Sequence, residues 1–298
     1  MLKPSQESLI HAILHTVAYA DVFDYPFTES EIHRYLTGIP ATVETIGKIL
    51  LQEQILITNV NGFFTLPGRE NIVFTRQRRE KIAARLWPQA IHYGRLISQL
   101  PFVRMVAVTG ALAMNNVEEG ADIDYLIVTA SNRLWLCRAM VLLIGRFSAR
   151  QGAILCPNYL ITLRSLTFPD QNGYAAHEIA QMIPLAGLDV YDQIRKQNQW
   201  VMKFLPNSEG TPSPVISGLP PAPHSLSRPT LEAILSTLPI SWLEQWEMDR
   251  KIRKLRWEQK ASHESSFSAD YCKGHDQSHQ VHTHIALDER LAHLELFP

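Results

Sequence analysis

The chain has 298 residues, of which 46% are hydrophobic and 19% charged, and its formal net charge is -1. That balance gives no global electrostatic reason to expect nucleic acid or membrane as the main partner. Three cysteines, Cys137, Cys156 and Cys272, are odd in number, widely spaced and without a cleavable signal sequence. They argue against a disulfide framework and for a reducing cytoplasm.

Since domains usually run to roughly 100–200 residues, two compact units with a tail are expected. In chain order, Leu9, Ile10, Ile13, Leu14 and Val17 recur at helical spacing from Ser8 to Tyr19, and the segment Asp21 to Pro26 breaks the pattern. Thr28 followed by Glu31 is a capping box that opens a helix through Leu36. A third helix is expected over Thr42 to Gln52, with Val43, Ile46, Ile49 and Leu50 inward. Ile55 to Thr58, the Asn61-Gly62 pair and Phe63 to Leu66 read as a hairpin. Three helices plus a hairpin resemble a winged-helix domain. DNA contact is disfavoured, because within residues 1–68 three basic side chains (Lys3, Arg34, Lys48) face seven acidic ones, a local charge near -4. A packing module, or one that binds a protein partner through residues 1–74, is the better expectation.

The next segment, Thr75 to Leu100, changes sign: it carries Arg76, Arg78, Arg79, Lys81, Arg85 and Arg95 against Glu80 alone, with Ile82, Leu86, Ile91 and Leu96 as an apolar side. A long helix is expected there, its charges either solvated or turned toward a polyphosphate. Strands follow at Val103 to Thr109, Ile123 to Thr129 and Asn158 to Leu163. Helices are expected from Leu134, around His177 to Met182 and over Val190 to Phe204. The run Leu134 to Ile144 is the most apolar of the chain, but it contains Arg138 and falls short of the about 20 residues of a membrane span. Residues 205–230 are rich in Pro, Ser and Gly and read as a linker. Leu231 to Gln259 reads as a helix with Leu243, Trp246 and Trp257 available to dock back on the body.

Val106 to Thr109 is a β-branched run closed by Gly110-Ala111, and Asp122-Ile123-Asp124 opens the next strand. Residues two apart in a strand share a face, so the two carboxylates point one way while Ile123 and Tyr125 point the other. Two hard oxygen ligands at that spacing suit Mg²⁺ together with substrate phosphates. Gly110, lacking a side chain, lets backbone N–H groups approach a phosphate.

The stretch Gly120-Ala121-Asp122-Ile123-Asp124-Tyr125-Leu126-Ile127-Val128, preceded by Gly110-Ala111, resembles the metal- and phosphate-binding hairpin of the polymerase-β-like nucleotidyltransferase superfamily. The resemblance covers roughly residues 103–165. It implies an α/β (α+β) fold, with a small mixed-sheet nucleotidyltransferase domain, and divides the chain into a winged-helix-like domain (1–74), a basic helix (75–100), a nucleotidyltransferase-like domain (101–204), a linker (205–230) and a helical tail (231–298). Asp122 and Asp124 become the metal ligands for Mg²⁺, and an NTP becomes the substrate, its nucleoside monophosphate passing to an acceptor hydroxyl that the sequence leaves unidentified. Two positions depart from the family pattern. Ala111 replaces the usual phosphate-binding serine, leaving that contact to the backbone or to Asn115 or Asn116. The strand that should carry a third carboxylate reads Pro157 to Leu163 and holds no acid, only Asn158, so a base must come from Glu178 first, from Asp170, or from neither. His177 is a further candidate base. Arg85, Arg95 and Arg104 could neutralise a leaving pyrophosphate if they face the site.

Two alternatives stand beside this reading: a catalytically weakened relative that binds nucleotide or a protein partner, and a DNA-binding regulator, which the acidic front disfavours. The tail gathers His263, His275, His279, His282, His284 and His293 with Asp270 and Cys272, but without paired ligand spacing, and a zinc site is not expected.

Overall fold

The computed structural model describes residues 5–52, 56–212, 227–237, 240–258, 267–273 and 278–295. Ile55, His263, His275, residues 213–226 and the side chains of Trp257 and His279 lie outside the described residues.

Helix α1 (Gln6–Asp21) is capped by Ser5, whose hydroxyl accepts the Ser8 N–H at 3.1 Å, and it buries Leu9, Ile13 and Val17. After β1 (Phe27–Thr28), the capping box forms at α2 (Glu29–Arg34): the Thr28 N–H donates to Glu31 Oε2 at 2.8 Å, and the Thr28 hydroxyl accepts from the Glu31 N–H. In α3 (Val43–Leu50), Ile46 and Ile49 are buried, but Val43 is 44% exposed. The inward face therefore begins a turn later than expected. Strands β2 (Thr58–Val60) and β3 (Phe63–Thr65) join through Asn61 and Gly62, both at positive φ, as a type I′ hairpin requires. β1 pairs with the other edge of β3 to complete a three-stranded antiparallel sheet.

Helix α4 (Ile72–Ser98) spans 27 residues and contains Pro88. Its apolar side differs from expectation: Leu96 is 41% exposed, and the buried seam runs through Ile82, Ala83, Trp87, Ala90, Tyr93 and Ile97. Aromatic and small residues, rather than the aliphatic ones alone, set the buried face.

β4 (Val103–Val108), the short α5 (Gly110–Ala113), β5 (Ile123–Thr129), α6 (Leu134–Ala149) and β6 (Leu155–Thr162) follow. Next come α7 (Gly173–Gln181), β7 (Ile183–Ala186), α8 (Leu188–Gln197), α9 (Val201–Phe204), α10 (Ser227–Ser236), α11 (Ile240–Glu258), β8 (Tyr271–Lys273) and α12 (Ser278–Glu295). The five-stranded sheet has the order β7-β4-β5-β6-β8. β5 and β6 run parallel while the other pairings are antiparallel, so the fold is a mixed α+β one. No described helix is long and apolar enough to cross a membrane.

Strand alternation sorts the core onto two faces. Val106, Val108, Ile123, Tyr125 and Ile127 pack beneath α4 and α6. Met105, Ala107, Leu126, Val128 and Ile161 belong to one continuous core with Ile13 and Val17 of α1, Ile32 of α2 and Ile179 of α7. The front helices thus lie on the sheet face that carries Asp124. α11 docks differently from expectation: Leu243 and Trp246 are 38% and 47% exposed, and contact comes instead from Ile240, Met248 and Ile252. Glu244 supplies a polar anchor, accepting the Trp135 and Leu136 N–H groups at the start of α6, both at 2.8 Å.

Candidate functional site

The end of β4 is tied to β5 by the Thr109 N–H, which donates to the Asp124 carbonyl at 3.0 Å. Gly110 follows at φ +63, and a Cβ there would stand inside hard contact of Asp124 Oδ2 and 3.2 Å from its Cγ. The glycine is thus needed twice, for its left-handed backbone and for the room it leaves the carboxylate. Asp122 is exposed and Asp124 half-buried. Their carboxylate oxygens and the Cys156 sulfur all lie within 4.8 Å of one another, the one such group of three or more ligating side chains among the described residues.

Around Asp124 the neighbouring strand is polar but not acidic. Asn158 donates to Asp124 Oδ1, and the Cys156 thiol donates to Asn158 Oδ1 at 2.7 Å. Burial, then the charges of Asp124 and Asp122, push the Cys156 thiol up to about 12. It is therefore a proton donor at neutral pH and not a thiolate. The two carboxylates of this donor set fit a hard, oxygen-seeking cation.

A cavity of about 440 Å³ opens over this group. Gly110, Ala111 and Asn116 line it beside Asp122 and Asp124, as do Asp170, Tyr174 and Glu178 from the segment entering α7 and from α7 itself. Tyr19, Phe23, Tyr25 and Phe27 of the front helices and strand form an aromatic wall. Burial first, then the charges of Glu178 and Asp124, raise the Tyr174 phenol, and burial with Glu178 and Tyr174 raises Tyr19. Glu178 thus sits among phenols that remain protonated.

Asn115 and His177 do not line the cavity, and Asn116, which does, is already engaged. The side-chain oxygen of Asn115 accepts the Trp87 indole N–H at 2.6 Å, which draws it toward α4 and away from any ligand. Asn116 donates to the Phe23 carbonyl at 3.0 Å and accepts from Arg79 at 3.1 Å, an engagement that bridges the front to the glycine turn. His177 is buried, stacks on Tyr19 at 3.9 Å between ring centroids and holds its Nδ1 2.8 Å from the Gly173 carbonyl. Burial lowers its pKa to about 4, which suits a neutral packing residue rather than a base.

The basic run of α4 is largely engaged at neighbouring acids. Arg76 is buried between Glu31 (2.6 Å) and Glu80 (2.8 Å), Arg78 and Arg79 hold Glu118, and Arg85 holds Glu119. Arg104 grips Glu232 at 2.8 Å, and neither it, Arg85 nor Arg95 lines the cavity. Among the described residues, the cation that does is Lys273 of β8, ion-paired with Asp170 at 2.8 Å. Sequence reading missed Lys273 because a three-residue strand carries too little periodicity to be seen, and missed the aromatic wall because it lies about a hundred residues before the aspartates. In the tail, His282, His284 and His293 are exposed.

No family model matches the chain, and no curated protein matches it. Among solved structures, the chain is similar to one described as "Crystal structure of the toxin-antitoxin with AMP-PNP", at 13% identity over 37% of this chain and 89% of that one, with a TM-score of 0.26.

Proposed function

We propose that the chain is a Mg²⁺-dependent nucleotidyltransferase, and the observation that carries this reading is the meeting of Asp122, Asp124 and the Gly110 turn at one cavity that Glu178 also lines. Asp122 and Asp124 would hold the ion, which when bound supplies positive charge to the nucleotide phosphates. The chain's own groups do the rest. The first N–H groups of α5, which have no intrahelical acceptor, would be the donors to the phosphates where Ala111 offers no hydroxyl. The aromatic wall excludes water and offers flat surfaces to a base. Glu178 accepts the proton of an acceptor hydroxyl as its oxygen attacks the α-phosphorus and pyrophosphate departs in line. Four carboxylates line the cavity against one lysine, which suits a small acceptor better than a nucleic-acid end.

A second reading, a nucleotide-binding relative with weakened catalysis, is favoured by Ala111 and by Cys156 and Asn158 standing where a third carboxylate is expected. A DNA-binding role has little support: Lys48, the cation of α3, pairs with Glu44 at 2.7 Å.

Titration calorimetry with non-hydrolysable NTPs, with and without Mg²⁺, separates these readings. Metal-dependent binding that disappears in Asp122→Ala/Asp124→Ala is the expected result. Glu178→Gln should keep that binding and lose transfer to any acceptor found by screening; in the weakened relative, wild type would bind and transfer to none. A folded wild type that binds no nucleotide overturns both.

A further inference from the structure

We infer that Lys273 is the anion-binding side chain of the cavity, its ammonium receiving the terminal phosphates of a nucleoside triphosphate, and this rests on the nucleotidyl-transfer reading. Register places it there. In the ladder, Leu126 pairs with Tyr159 and Tyr159 with Lys273, so the three lie on one rung. Directly paired residues share a sheet face. Leu126 and Tyr159 line the cavity, and Lys273 joins them from the edge strand as the one cationic side chain lining it among the described residues.

The side chain is held ready and not buried away. Its Nζ donates to Asp170 Oδ2 at 2.8 Å and lies 5.9 Å from the Tyr159 ring centroid. Lys273 keeps 22% of its side-chain exposure and Asp170 34%. An ammonium has three donors, and Asp170 takes one of them. A flexible lysine stem gains a defined position from that bond, so Asp170 is a positioning residue. The need for such a cation follows from the charges around it. A polyphosphate entering a cavity lined by Asp170 and Glu178 as well as by Asp122 and Asp124 meets like charge that a cation in the lining offsets. Arg85 and Arg104, which sequence order places nearer, do not line the cavity.

The test uses the full chain and two probes, inorganic pyrophosphate and a non-hydrolysable NTP with Mg²⁺, titrated into wild type, Lys273→Met and Lys273→Arg. Thermal unfolding of each variant checks that the fold persists. Loss of one charge-assisted hydrogen bond predicts affinity for both probes lower on the order of 10- to 100-fold in Lys273→Met, with substantial recovery in Lys273→Arg. The variant's affinity should also depend less on salt. Nucleotide binding that needs Asp122 and Asp124 but is unchanged in Lys273→Met overturns this assignment and leaves the transferase reading standing. Pyrophosphate binding that needs Lys273, in a protein that binds no nucleotide, supports the anion site and removes the transferase reading. If folded wild type binds neither probe, both are overturned.

Discussion

Replacing Gly110 by alanine tests the site through a single methyl group. The residue stands at φ +63, where an L side chain costs about 1–2 kcal/mol. The new Cβ also enters hard contact with the Asp124 carboxylate, and turning that carboxylate off its preferred rotamer costs about 0.5–1.5 kcal/mol more. Urea unfolding should therefore register a loss of roughly 1.5–3.5 kcal/mol. Gly62→Ala is the matched control: its φ is +83, but a Cβ there meets nothing within 4 Å. That variant should lose only the backbone part and bind Mg²⁺ and nucleotide as wild type does, whereas Gly110→Ala should lose metal-dependent binding by calorimetry. Equal binding in Gly110→Ala and wild type would refute the reasoning, because it would mean that the position of the Asp124 carboxylate does not matter to the ligand.

Two further perturbations probe the frame around the cavity. Arg76, 7% exposed at its side chain, is clasped by Glu31 and Glu80 and lies 4.3 Å from the centre of the Tyr25 ring. Arg76→Met strands Glu31 and should cost about 3–5 kcal/mol in urea unfolding, most of it recovered in Arg76→Met/Glu31→Gln; a cost below about 1 kcal/mol contradicts the picture. His177 is kept neutral by burial, its pKa lowered from 6.5 to about 4. Protons then bind the unfolded chain first, so its contribution is complete above pH 6.5 and declines as pH falls toward 4. The difference is about 3 kcal/mol. The pH dependence of stability in His177→Phe should be flatter by that amount across this window, and parallel profiles for the two proteins would show that His177 is not buried neutral.

Much of the front was legible because its signals are local. Thr28 and Glu31 are three residues apart, Asn61-Gly62 defines its own turn, and Asp122 and Asp124 reveal a shared face through strand alternation. What escaped depends on distant partners. Ala107, Leu126 and Ile13 share one core, a fact that no window of sequence contains. The basic stretch of α4 left open a solvated face or a polyphosphate contact, and it meets Glu31, Glu118 and Glu119 instead; Asn115, a candidate phosphate contact, is taken by Trp87. Lys273 is the reverse case, unremarked in sequence and brought to the cavity by an edge pairing with Tyr159.

That edge pairing also sets an order of assembly during synthesis. Asp124 and the Gly110 turn precede Lys273 by about 150 residues, and at ordinary translation rates the interval is roughly ten to thirty seconds. Until β8 is made, the lining that Lys273 contributes to the cavity is missing. All four carboxylates that line the cavity are therefore made before the lysine that lines it.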